Sequence, residues 1–178
     1  MNLTAKLRSF CQDRLALILG LYILIQPLLD ALTTPGALAE APITVGVVFR
    51  TLFMVLSFLY VVFVSQFKEK KWCLAILGIL LAYLVLFMGY MFSLGGLSLC
   101  VSNAKELVKV FFAPFVMVFL FAAWKQYGAQ ASIRSIAWAG GLYAGIILLA
   151  FLTGTSLVSY SSSGYGFKGW FYAANEVS

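Results

Sequence analysis

The stretch Trp72–Phe92, WCLAILGILLAYLVLFMGYMF, contains no charged residue. At a rise of about 1.5 Å per residue, a helix of this length crosses a hydrocarbon layer about 30 Å thick. Open strands are excluded in that environment, because their backbone N–H and C=O groups would have no hydrogen-bond partners. The stretch therefore predicts a membrane-spanning helix.

Four further apolar segments flank this helix: Leu15–Leu32, Ile43–Val64, Leu107–Trp124 and Ile136–Leu152. Across 178 residues the chain is 63% hydrophobic and 10% charged, whereas soluble domains carry about 25% charged residues. The sequence therefore predicts an all-α, polytopic bundle of about five transmembrane helices. Residues 1–14 are predicted to be a cytoplasmic segment, residues 15–152 the transmembrane region, and residues 153–178 an extracytoplasmic loop.

Basic residues predict the orientation of the bundle. Eight of them fall on one side if the helices alternate: Lys6, Arg8, Arg14, Lys68, Lys70, Lys71, Lys125 and Arg134. The other side receives Lys105 in the predicted loop Ser93–Glu106 and Lys168 in the tail. Lys and Arg accumulate in cytoplasmic loops, so the N-terminus is predicted to be cytoplasmic and the tail external. We expect the protein in the bacterial plasma membrane.

The two ends of the sequence raise separate expectations. The start resembles a secretory signal peptide, with Ala37-Leu38-Ala39 as its cleavage site, but its apolar run is long for a signal core. An uncleaved first helix is therefore favoured. The tail is rich in Ser and Gly and then aromatic, which predicts an external loop resting on the membrane surface. A sixth helix is expected to begin near Asn175, so the natural product is expected to be longer.

The sequence gives no support for histidine-dependent catalysis, metal binding or nucleic-acid binding. The chain has no histidine, which excludes a Ser-His-Asp triad and an HExxH zinc site within it. Cys11, Cys73 and Cys100 form no metal-binding spacing, so neither a metal nor a cofactor is predicted. The net charge of +6 lies in short segments between apolar runs, unlike the basic face of a nucleic-acid-binding module. The expected partner is the lipid bilayer.

Asp30 and Arg50 are charged residues inside apolar segments. A charge at mid-helix costs roughly 2.5–3.5 kcal/mol on insertion scales unless it is paired or hydrated. The first two helices are joined by a short turn, so the two side chains are predicted at similar depth. Two interpretations stay open: a structural ion pair between the helices, or an arginine that faces an anion-binding cavity.

A second charged cluster, Asn103-Ala104-Lys105-Glu106-Leu107-Val108-Lys109, precedes the fourth segment. Asn103 and Glu106 have the spacing of a capping box at a helix start, and Glu106 can pair with Lys109 three residues later. One interpretation is a capped helix whose lysines extend to the interface. The other joins Arg50, Lys105 and Lys109 into an outer cationic group that binds a phosphate-bearing ligand in the outer leaflet.

Three elements together resemble one protein family. They are Val47-Val48-Phe49-Arg50-Thr51-Leu52-Phe53, Lys105-Glu106-Leu107 followed by Phe111-Phe112-Ala113-Pro114, and Gly166-Phe167-Lys168-Gly169-Trp170-Phe171-Tyr172-Ala173-Ala174-Asn175-Glu176. They are similar to an Arg-led second helix, a Lys-Glu-Leu-x-x-x-x-Phe-x-x-Pro element and a Gly-x-x-Gly-x-Phe-x-x-Ala-Asn-Glu stretch. The chain thus resembles the N-terminal part of the O-antigen ligase and polysaccharide polymerase superfamily.

The resemblance implies transfer of a glycan from an undecaprenyl-pyrophosphate carrier to an acceptor, outside the plasma membrane and without a metal or nucleotide. It implies that basic residues engage the pyrophosphate, with Arg50 as the best candidate. Asn175 and Glu176 are motif positions without an assigned role, and no catalytic residue is assigned. The family's large external loop and later helices are not in this sequence, so this piece alone is expected to be inactive. A transporter or flippase of lipid-linked saccharides, and a non-catalytic or relic membrane protein, stay open as alternatives.

Overall fold

The structure is a computed structural model that describes residues 3–38, 44–160, 165–167 and 169–171. Side chains are described from residue 13 onward within these ranges, except at 35–38, 101, 102, 105, 131, 158–160 and 165–167. The chain divides into two compact units, residues 1–19 with 49–132 and residues 20–48 with 133–178. Each unit is described by itself below.

The described chain is dominated by helices: α1 (Leu3–Leu38), α2 (Val45–Leu59), α3 (Lys70–Tyr127) and α4 (Ala129–Leu152). A π-helix, Tyr60–Val64, continues α2. Within the described residues, five segments are long and apolar enough to cross a membrane: Asp13–Thr34, Val45–Val64, Lys70–Cys100, Glu106–Tyr127 and Ser132–Leu152. Each contains or closely matches one predicted segment, so the prediction of a polytopic helical bundle is confirmed.

Helix α3 carries two of these spans, and its helical geometry breaks at Gly95 and Gly96, near the end of the first. Gly96 has a φ of 64°, which side chains with a Cβ rarely adopt, so the glycine pair permits an abrupt change of direction. The predicted loop Ser93–Glu106 was wrong, because this segment is helical apart from the two glycines. Helical hydrogen bonding satisfies the backbone here, where a loop would have to find other partners.

Asn103 lies inside the helix that follows this break, rather than at its start. Its side-chain Nδ2 donates to the carbonyl oxygen of Leu99, four residues earlier, at 2.9 Å. The capping box predicted for Asn103 and Glu106 was therefore wrong, because the helix begins before either residue. Such a bond back to the preceding turn is a common arrangement for a short polar side chain in a helix interior.

The unit of residues 1–19 and 49–132 has an aromatic core. Phe53 and Tyr60 of the second span both meet Phe119 edge-on, with ring centroids 5.9 and 5.7 Å apart. Tyr60 is fully buried, and its hydroxyl donates to Oε1 of Gln126 at 2.5 Å. The large apolar rings are thereby buried with their one polar atom satisfied, which is the arrangement that buried tyrosines need.

Charged side chains make hydrogen bonds and an ion pair around the connection between α2 and α3. Lys70 Nζ donates to the carbonyl oxygens of Val62 and Ser65 at 2.8 and 3.1 Å, which satisfies backbone acceptors at the end of the π-helix. Lys125 Nζ lies 3.2 Å from Oε1 of Glu69. The Lys125 side chain, as hydrogen-bond donor, lowers the pKa of the Glu69 carboxyl below its ordinary value.

This ion pair predicts a small, pH-dependent effect on stability. The folded-state pKa of Glu69 is depressed, so the pair stabilises the protein at neutral pH and is lost as the pH falls through that pKa. We expect Glu69→Gln to lower Tm slightly at pH 7, since exposed pairs contribute little. The difference from wild type should shrink as the pH falls below the ordinary glutamate pKa of about 4.3 and vanish once the pH is below the lowered pKa of the folded state. Thermal unfolding in detergent checks this, with Lys125→Met and the double variant as controls. An equal difference at neutral and at acidic pH would contradict it.

The unit of residues 20–48 and 133–178 joins the end of α1, the start of α2, α4 and the tail. Gly46 lies directly against Thr33, since a Cβ at position 46 would come within 2.6 Å of Thr33 Oγ1. After α4, strands β1 (Val158–Tyr160) and β2 (Tyr165–Phe167) pair antiparallel, with Val158 opposite Phe167. The predicted external loop therefore contains a short hairpin in its described part, which the sequence did not predict.

Candidate functional site

Arg50 lies buried on α2, with 8% of its surface exposed. Its guanidinium carbon is 5.6 Å from the ring centroid of Phe112, in the second half of α3. Phe112 in turn meets Phe53 edge-on, with centroids 5.4 Å apart. An arginine that stacks on an aromatic ring keeps its charge while losing part of its hydration. The ring of Phe112 therefore packs against the guanidinium of Arg50.

Positions 105 and 109, the two predicted lysines, lie on the same face of α3 as Phe112. Positions 105, 109 and 112 are four and three residues apart, which places them in one stripe along the helix. Lys109 Nζ pairs with Oε1 of Glu106 at 3.1 Å, and the Lys109 side chain remains 38% exposed. Lys105 lies in the helix, but its side chain is outside the described part of the structure. The structure therefore places Lys109 about one turn from the ring that holds Arg50.

Asp30, in the other unit, is a buried carboxylate with 1% of its surface exposed. Gln26 Nε2, one turn earlier on α1, lies 3.1 Å from each carboxylate oxygen. The hydroxyl of Tyr143 on α4 donates to Asp30 Oδ2. Buried charged or polar groups are stable only when they are hydrogen-bonded in this way. Gln26, Asp30 and Tyr143 therefore form a polar cluster that joins α1 to α4.

The pairing of Asp30 with Arg50 stays a prediction. Gln26 and Tyr143 were not predicted as partners of Asp30, and Phe112 was not predicted as an aromatic neighbour of Arg50. The spacing of Gln26 and Asp30, four residues apart on one helix, was the available signal. No comparable signal marks Tyr143 or Phe112, because their contacts are between helices.

Phe171, at the end of the described tail, contacts this polar cluster. Phe171 is fully buried, and its ring centroid lies 5.2 Å from that of Tyr143. Beside it lies an apolar cavity of about 550 Å³. The residues that line it are Leu28, Ala31, Leu32, Thr34, Ile146, Thr155, Leu157 and Trp170. Asn175 and Glu176 lie outside the described residues.

Metal-binding geometry does not occur in the described part of the chain, where no three His, Cys, Asp or Glu side chains come together.

Comparison with known proteins assigns the chain to a family. A model of the O-antigen ligase like membrane proteins matches residues 12–178. The chain belongs to this family. The match contains all three elements that carried the resemblance, which is thereby confirmed. No curated protein and no solved structure matches the chain.

Proposed function

We propose that this O-antigen ligase-like protein transfers a glycan from an undecaprenyl-pyrophosphate carrier to an acceptor on the outer face of the bacterial plasma membrane. The N-terminus lies in the cytoplasm in this proposal, so Arg50 and Lys109 face the outer leaflet. The observation that carries it is the buried Arg50, whose guanidinium packs against Phe112. Phe112 lies on the same stripe of α3 as Lys109. Positive charge at this depth is costly unless it serves a ligand or a partner.

The chemistry of transfer explains why cations are needed. The acceptor oxygen forms a bond to the anomeric carbon, while the bond from that carbon to the pyrophosphate oxygen breaks. The acceptor proton is released to a base or to water, and negative charge grows on the departing pyrophosphate. Arg50 can bind two phosphate oxygens through its planar fork, while Lys105 and Lys109 act as point charges. Stabilisation that increases as this charge develops lowers the barrier.

The test is a transfer assay with the complete gene product, in which consumption of the lipid-linked saccharide and formation of the glycosylated acceptor are followed. We expect the triple variant Arg50→Gln, Lys105→Gln, Lys109→Gln to lose transfer while its membrane abundance stays normal. Lys71→Gln is the matched control, since Lys71 is an exposed lysine predicted to face the cytoplasm. It should transfer at the wild-type rate.

Three other outcomes would overturn parts of this proposal. Normal transfer by the triple variant at normal abundance would remove the phosphate-binding role of the outer cationic group. Movement of the intact lipid-linked saccharide across the membrane, without formation of a new glycosidic bond, would favour a flippase. Absence of both activities in the wild-type protein would favour a non-catalytic membrane protein.

A further inference from the structure

The turn Gly169–Phe171 is hydrogen-bonded to the segment that follows α4 and to α1. Leu157 N donates to the carbonyl oxygen of Gly169 at 2.8 Å, and Trp170 Nε1 donates to Thr155 Oγ1 at 2.8 Å. Thr34 Oγ1, near the end of α1, donates to the carbonyl oxygen of Trp170 at 2.5 Å. The turn is therefore bonded both to the chain that leaves α4 and to α1 itself.

Gly169 is required for this close fit. Its φ is 64°, and a Cβ built on it would lie 3.1 Å from the Cα of Ile147 on α4. Both the backbone conformation and the contact with another backbone disfavour any larger residue. The glycine allows the turn to lie directly on α4.

Phe171 completes the attachment, since its ring is fully buried beside Tyr143. The Tyr143 hydroxyl donates to Asp30, so one chain of contacts runs from the tail through α4 to α1. The tail as a whole was predicted to rest on the membrane surface. The ring of Phe171 is buried in protein instead.

We propose that the turn Gly169–Phe171 anchors the chain that follows the hairpin on α1 and α4, with Phe171 and Tyr143 as the residues that position this turn. Two motif glycines and a phenylalanine precede Asn175 and Glu176 in the stretch shared with the family. The geometry assigns Gly169 and Phe171 of that stretch to attachment rather than to ligand contact. The consequence for transfer rests on the proposed function, whereas the attachment itself does not.

Hydrogen–deuterium exchange of the full-length protein in lipid nanodiscs tests the attachment. We expect Phe171→Ala to raise the exchange rate of peptides within residues 155–171 at least tenfold, while peptides of α4 within residues 136–150 stay protected. Tyr143→Phe removes only the hydroxyl and should raise the same rate several-fold, because the ring beneath Phe171 is no longer held by Asp30. Phe171→Leu, which keeps an apolar side chain of similar reach, should restore most of the protection.

Phe92→Ala is the matched control, because Phe92 is 61% exposed on α3 and the same atoms are removed. It should leave exchange of the tail unchanged. Unchanged exchange of the tail in Phe171→Ala would overturn the anchor. Unchanged exchange in Tyr143→Phe would overturn the role of Tyr143, because the packing of Phe171 would then not depend on the hydrogen bond to Asp30.

The transfer assay completes the test. We expect Phe171→Ala to lower kcat at least tenfold with little change in KM, since displacing the turn Gly169–Phe171 leaves the cations that bind the pyrophosphate in place. Loosened attachment with unchanged transfer would overturn the positioning role. If the wild-type protein transfers no glycan while the exchange results hold, the proposed function fails and the anchor stands.

Discussion

Arg50→Gln is expected to reduce glycan transfer about 100- to 1,000-fold, which is the usual cost of removing one donor that stabilises developing negative charge. The side chain keeps hydrogen-bonding capacity but loses its positive charge and its planar fork. Its partner Phe112 also loses the guanidinium that lies 5.6 Å from the ring centroid. The measurement is kcat/KM for transfer, normalised to the amount of protein in the membrane.

Arg50→Lys separates charge from geometry. Lysine keeps the positive charge but cannot bind two phosphate oxygens at once or stack as a plane on Phe112. We therefore expect a loss of about tenfold, which corresponds to about 1.4 kcal/mol of barrier. Equal losses in Arg50→Lys and Arg50→Gln would mean that shape alone matters, and a wild-type rate in both would remove Arg50 from the site.

Phe112→Leu isolates the role of the ring. Cation–π attraction contributes about 0.5–2 kcal/mol depending on burial, and its loss leaves Arg50 less well placed. We expect transfer to fall less than in Arg50→Gln, with normal abundance. Transfer that falls as far as in Arg50→Gln would show that the position of the charge is as important as its presence.

The five spans could be predicted from sequence because the property that defines them is local. An apolar run of the right length must be helical in lipid, whatever it packs against. The prediction for the segment after Phe92 was wrong. The segment was predicted as a loop that ends in a capping box at Asn103, but the described helix continues there, and Asn103 bonds back to Leu99. Only the two adjacent glycines marked the true break.

Charged residues of the candidate site could be predicted, and their neighbours could not. Arg50 and Asp30 stand out because each is costly inside an apolar segment. Phe112 and Tyr143 are ordinary residues in a membrane helix, and their role depends on which helix faces which. Such pairings are set by packing between helices, which the composition of a single segment does not encode. The burial of Phe171 was missed for that reason too.

Asp30→Ala is expected to give the largest loss of stability. The change leaves the buried Nε2 of Gln26 and the hydroxyl of Tyr143 without their described acceptor. An unsatisfied buried donor costs about 1–3 kcal/mol, so two of them predict a loss of about 2–6 kcal/mol. The measurements are thermal unfolding in detergent and abundance in the membrane. Asp30→Asn should cost less, because its carbonyl oxygen can still accept from Tyr143.

Asp13→Ala is the matched control, since Asp13 also accepts a hydrogen bond from a tyrosine hydroxyl, that of Tyr127 at 2.9 Å, but is exposed. Water replaces the lost acceptor there, so the change should lie within about 0.5 kcal/mol of wild type. Equal losses at the two positions would contradict the argument from burial.

The double variant Asp30→Ala, Tyr143→Phe decides what the buried carboxylate does. Removing the tyrosine hydroxyl removes one of the two unsatisfied donors, so the double variant should be more stable than the sum of the single losses predicts. Rescue by Arg50→Gln instead would assign the loss to the predicted Asp30–Arg50 pair, because neutralising the arginine would remove an uncompensated charge. Strictly additive losses in both double variants would mean that Asp30 acts through neither partner, and that the polar cluster does not stabilise the joining of α1 to α4.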